Sequence, residues 1–224
     1  MRHFLAIGLT FALFFLGTIA ISHVPRGLTA HEDVGIERAV DMTSGKSFDS
    51  NAVEIDGICF ETVMPKRILP IPAMQPDATT PVEFGIRITN NTPTPRRFLL
   101  FLLLPTFLGT DEQVIPPEGP AVNKTNVPQE FDFPLAMPGE SLTFFLKGRF
   151  FWVNSELWFV VYVKDGGAWS FRNFKPGTNQ VLFTYKNSSS VWNIYDGRLL
   201  STVIEDIWTG VVSTPLVEFC LVHK

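Results

Sequence analysis

After its first fifty residues the chain alternates apolar and polar positions along most of its length, and a period of two predicts strands. Val82, Phe84, Ile86 and Ile88 share one parity, while Glu83, Gly85, Arg87 and Thr89 share the other. That segment reads as a strand with one buried and one wet face, followed by an Asn90-Asn91-Thr92-Pro93 turn. Upstream, Val53 and Ile55 hold one parity and Ile58, Phe60 and Thr62 the other, so the spacing predicts a bulge at Gly57 that restores one inward face. Residues 98–104 are uninterrupted apolar side chains, which predicts a strand covered on both faces.

Loop signals fill 109–129, and strands are predicted over 131–135, 141–147, 156–164, 168–174, 180–186 and 191–195. Pro138-Gly139, Asp165-Gly166-Gly167 and Lys175-Pro176-Gly177 supply the turns among them. A last strand over 211–222 is interrupted by Pro215. One segment departs from the period of two. Leu199, Leu200, Val203, Ile204, Ile207 and Trp208 recur at spacings of three and four between Asp196 and Gly210, predicting a short amphipathic helix over 198–209. Eight to nine short strands without intervening long helices predict a mainly β fold, an antiparallel sandwich carrying that one helix.

The N-terminus has a separate logic. Arg2 precedes residues 4–21, an uncharged and mostly apolar stretch, and Pro25, Arg26 and Ala30 follow. This describes a signal peptide over 1–30 with a small-residue cleavage site. Eighteen helical residues would also span about 27 Å, close to the ~30 Å of a bilayer core, so a hydrophobic helix retained as a single-pass anchor is the alternative. Either outcome leaves the rest outside the cytoplasm, secreted or periplasmic if cleaved and membrane-held through 4–21 if not. Residues 31–50 read as a polar spacer and 51–224 as the domain.

The run at 84–92, the segment Met137-Pro138-Gly139-Glu140-Ser141-Leu142-Thr143-Phe144, and Lys175-Pro176-Gly177 before Val181-Leu182-Phe183-Thr184-Tyr185 resemble bacterial extracytoplasmic immunoglobulin-like domains. The resemblance covers roughly 51–190 and implies a sandwich of immunoglobulin type. It carries over no catalytic residue and implies an adhesive, spacer or binding role.

Composition narrows the chemistry. The net charge is −4, and loss of residues 1–30 removes Arg2 and Arg26 and no acid, leaving 16 basic against 22 acidic residues, or −6. Such a surface does not suit nucleic acid. The 4 histidines stand at 3, 23, 31 and 223, none between Glu32 and Val222, which removes His-based triads and His-ligated metal sites from the folded body. Ser-x-x-Lys, Gly-x-Ser-x-Gly, Gly-x-Gly-x-x-Gly and the P-loop are absent, so no catalytic residue, cofactor or metal is assigned. The carboxylate pairs Glu54/Asp56, Glu130/Asp132, Asp111/Glu112 and Glu205/Asp206 leave a glycosidase as the remaining catalytic class. Asp111, Glu112 or Asp132 in the 109–132 loop would suit calcium.

Two features point to recognition or cross-linking. Cys59 and Cys220 lie in the first and last domain strands, where an oxidising compartment would allow a disulfide; buried free thiols are the alternative. Phe150, Phe151, Trp152, Trp169 and Phe171 form a possible binding patch, although alternation turns Trp169 and Phe171 toward the core. Trp158, Trp192 and Trp208 are further aromatic candidates, and Asn90, Asn123 and Asn187 begin glycosylation sequons. Together these features predict a non-enzymatic protein-binding or structural module at the cell envelope. The alternatives are a carbohydrate-binding module using exposed aromatics and an envelope glycosidase.

Overall fold

A computed structural model of the chain describes residues 36–37, 52–101, 103–119, 126–195 and 201–223. The predicted leader helix, the cleavage site, the spacer apart from Ile36–Glu37, and Asn123 lie outside them. Among the described residues no helix is long and apolar enough to cross a membrane.

Numbered in chain order, the strands are β1 (Ile36–Glu37), β2 (Ala52–Ile55), β3 (Ile58–Val63), β4 (Ile68–Pro70), β5 (Thr80–Asn90), β6 (Arg96–Arg97), β7 (Pro105–Leu108), β8 (Val114–Ile115) and β9 (Leu135–Ala136). They continue as β10 (Ser141–Val153), β11 (Glu156–Tyr162), β12 (Ala168–Phe171), β13 (Gly177–Asn187), β14 (Trp192–Tyr195), β15 (Ser201–Ile204), β16 (Gly210–Ser213) and β17 (Val217–Val222). The larger sheet runs β12-β11-β10-β5-β3-β2, with β1 also on β10, and is antiparallel throughout. The second runs β4-β17-β13-β7-β8, and β16 pairs the far half of β13. Only its β4–β17 pair is parallel. Two small ladders, β14–β15 and β6–β9, complete the set.

Inward-facing rings from the two sheets meet in one core. Phe84 stacks on Phe183 with centroids 5.7 Å apart, Phe107 meets Phe159 edge-on at 5.3 Å, and Phe60 lies 5.7 Å from Tyr185. Much of the Phe-rich composition is thereby buried, at roughly 150–250 Å² per aromatic ring. A polar tie crosses the same layer: the Thr62 hydroxyl donates to the Pro215 carbonyl and shares a hydrogen bond with the Thr214 hydroxyl. A second, smaller core of Phe133, Ile194, Ile204 and Ile207 lies under the β14–β15 ladder.

Four sequence expectations are corrected. The predicted helix over 198–209 is overturned where it is described, because Ser201–Ile204 is a strand paired with Trp192–Tyr195. Thr202, Val203 and Ile204 are β-branched and favour the pleated backbone. The apolar stripe also splits: Ile204 and Ile207 enter the small core, Trp208 enters the main one, and Val203 is half exposed. Asp206, with φ of 58°, ends any helical path there.

The parity switch at Gly57 is no bulge. Asp56 and Gly57, at φ 52° and 76°, form the two-residue turn of the β2–β3 hairpin. Register then sets Val53 opposite Phe60 and Ile55 opposite Ile58, so the two parities share one face.

The described residues of 98–104, all but 102, form no strand either. Phe98 N–H bonds the Pro134 carbonyl and Leu100 N–H bonds the Asp132 carbonyl, continuing the short β6–β9 ladder irregularly. Pro134 has no N–H with which to reciprocate. Finally, the strand predicted over 131–135 gives way to a 3-10 turn, Glu130–Asp132, before β9. The break at Pro215 stands as expected: β16 and β17 run along the same strand, β13, on either side of it.

Candidate functional site

The pairing of β10 with β11 builds the most distinctive surface of the domain. Asn154 and Ser155, at φ 48° and 66°, close a two-residue turn that carries β10 through to Val153. Phe151 thereby falls opposite Trp158, and Arg149 opposite Val160. Even-numbered residues of β10 point inward, so Arg149 and Phe151 stand on the outer face with Trp158, Val160 and Tyr162.

The Arg149 Cζ lies 6.0 Å from the Phe151 ring centroid and 6.0 Å from that of Tyr162. That is the separation of a cation–π contact on each side. No described carboxylate forms an ion pair with Arg149; the ion pairs are Arg87–Glu61, Lys164–Asp132, Arg172–Glu118 and Lys175–Asp111. Arg149 Nε and Trp158 Nε1 are both covered from solvent without a hydrogen-bond partner. An unpaired buried donor costs about 1–3 kcal/mol. Two of them adjoin on one sheet face whose edge strand is already closed: Pro117 bridges Phe171, and Glu118 N–H bonds the Ser170 carbonyl.

The structure divides the sequence-predicted patch. Phe150 and Phe171 are core residues at 1% and 2% exposure. Trp152 and Trp169 pack against the core, and the Trp152 indole donates to the Pro72 carbonyl at 2.7 Å. Only Phe151 reaches the outer face, where it joins Arg149, Trp158 and Tyr162. Sequence reasoning missed that group because it stopped the first strand at 147. The signal was present: Asn154-Ser155 separates two alternating runs by two residues, which fixes the register and so the neighbours.

Cys59 and Cys220 stand unbridged, on the outer faces of opposite sheets. Packed sheets lie about 10 Å apart, whereas a disulfide needs Cα atoms within ~7 Å. The strands that carry them, β3 and β17, are not neighbours. Burial, with Glu54 and Glu61 beside it, pushes the Cys59 thiol above its ordinary pKa.

The acidic candidates are drawn apart rather than together. Asp132 is buried and bonded at 2.9 Å to Lys164 Nζ, while Glu130 is exposed one turn away. Asp111 faces Lys175 and accepts the Gln113 N–H, as a turn residue does. Among the described residues no group of three or more His, Cys, Asp or Glu side chains could hold a metal.

Two sequon asparagines are structural. Asn90 Nδ2 donates to the Thr94 and Ala136 carbonyls while its Oδ1 accepts from Thr92. Asn187 Nδ2 likewise donates to the Ser189 and Trp208 carbonyls.

No known protein family, curated protein sequence or solved structure matches the chain.

Proposed function

We propose that the protein is a non-enzymatic, exported or membrane-anchored binding module of the cell envelope. In this reading an immunoglobulin-like β-sandwich presents the outer face of β10 and β11 to an envelope protein or glycan. The observation that carries it is the Arg149 guanidinium held between Phe151 and Tyr162 with no described carboxylate paired to it. A ligand anion on this part-exposed side chain would pair a charge that no described carboxylate pairs. Two of the carboxylates weighed for a glycosidase are ion-paired, Asp132 with Lys164 and Asp111 with Lys175. The 4–21 segment supports export, as an apolar stretch behind a positive charge.

The test is sedimentation with isolated envelopes. Phe151→Ser and Trp158→Ser should lower the bound fraction about tenfold or more, since buried aromatic anchors dominate recognition energies. Lys186→Ser, on the exposed face of the other sheet, should not change it. Equal binding by all three variants would remove the reading.

A further inference from the structure

We infer that the β10–β11 face takes a short oligosaccharide of the hexuronic acid class, with a carboxylate on Arg149 and successive rings against Trp158 and Tyr162. This rests on the reading of that face as the binding face and names its ligand. Trp158, Val160 and Tyr162 follow one another on the outer side of β11. Four residues of strand separate the two outer rings by about 13 Å, the scale of a short oligosaccharide. Val160, only 8% exposed, forms the floor between them, and Arg149 stands directly opposite it in the register. The cation therefore sits at the middle of the aromatic row.

Charge favours an acidic ligand over a neutral one. The protein carries a net charge of −4, yet Arg149 has no acidic partner among the described residues. Lys147 lies two residues away on the same face, exposed. Glu83 is opposite Lys147 in the β5–β10 register but forms no ion pair with it. A carboxylate matches the charge and planar shape of a guanidinium.

The sheet favours a sugar over an acidic peptide. Around Arg149 and Val160 both strands are paired on each side, β10 with β5 and β11, and β11 with β10 and β12. An extended peptide gains much of its affinity by pairing with an open strand edge, and none is offered there. What remains is a face of rings, and rings bind by stacking.

The experiment is a tryptophan-fluorescence titration of the folded chain with oligogalacturonate, its fully methyl-esterified form, and a poly-glutamate peptide of equal charge. The inference predicts saturable binding of the acid form, with the ester and the peptide each at least about tenfold weaker. Arg149→Gln should weaken the acid form by about 10–100-fold, the size of a charged hydrogen bond. Trp158→Leu, which removes a stacking ring, should weaken acid and ester forms alike by a few-fold, the size of one aromatic contact. Urea unfolding of each variant, matched to the parent, separates lost binding from lost folding. Equal affinity for acid and ester would overturn the acidic class while leaving the face a glycan reader. Equal affinity for the peptide would overturn the sugar assignment. No binding of any probe would overturn the inference, and the envelope sedimentation above then decides independently whether the face binds at all.

Discussion

Lys164→Met probes the buried ion pair that docks the 126–132 segment onto the β11–β12 hairpin. Lys164 and Asp132 side chains are 9% and 2% exposed, and their charged atoms lie 2.9 Å apart. Unit charges at that distance attract by about 6 kcal/mol at an effective dielectric of ~20. Desolvation of both ions offsets most of this, so the pair adds little net stability over apolar replacements. Removing one partner is different. Lys164→Met leaves the Asp132 carboxylate buried with the Gln129 N–H as its remaining hydrogen bond. The expected loss is about 3–5 kcal/mol, a large share of the ~5–15 kcal/mol typical of a domain. Adding Asp132→Asn should recover part of the loss, because a neutral amide still accepts from Gln129 and no longer carries a buried charge. Urea unfolding followed by tryptophan fluorescence measures both variants. A loss under about 1 kcal/mol for Lys164→Met would mean that the pair behaves as a solvated surface bridge. Strict additivity of the two substitutions would likewise refute the coupling.

Three further outcomes follow from buried groups. Burial pushes the Tyr185 phenol up to about 12, outweighing the Leu99 N–H bond that lowers it. The unfolded phenol therefore ionises first, near pH 10. Stability should be complete below pH 10 and fall by about 2–3 kcal/mol between pH 10 and about 12; Tyr185→Phe should flatten that limb in pH-dependent urea titrations. For the cysteines, intact mass should be the same before and after reduction, and Cys59 should alkylate more slowly than a free model thiol near neutral pH. A 2 Da gain on reduction would contradict the placement of the two thiols. In a glycosylating host, Asn90 and Asn187 should stay unmodified in the folded chain by peptide mass mapping, since both side-chain amides are fully engaged. Asn90→Ala should cost about 2–4 kcal/mol by leaving the Thr94 and Ala136 carbonyls unpaired.

The sequence made some of this legible and hid the rest for identifiable reasons. The 82–89 part of β5 is legible because each outward position there is polar or Gly and each inward one is large and apolar. That pattern is fixed by local burial alone. Gly85 on its outer parity has a reason invisible in sequence: a Cβ there would meet the Phe144 carbonyl oxygen of β10. The segment 201–208 failed because a spacing of three and four recorded burial in two different cores rather than along one helix face. Residues 98–104 failed because an apolar run reports coverage on both sides, which an irregular segment between two cores also satisfies. The Arg149, Phe151, Trp158 and Tyr162 group needed register as well as parity. Two adjacent turn residues, Asn154 and Ser155, held that information, and only pairing of the two strands converts it into neighbours. The five-residue patch read from the sequence went the other way, since nearness along the chain does not distinguish opposite faces of one strand.

The outer face of β10 and β11 as the place where a ligand lands is tested most directly by hydroxyl-radical footprinting of the folded chain with and without isolated envelopes. Protection concentrated on Phe151, Trp158 and Tyr162, with the exposed face of β13 and β16 unchanged, is the predicted result. Unchanged labelling of those three rings, with protection elsewhere on the domain, would contradict it.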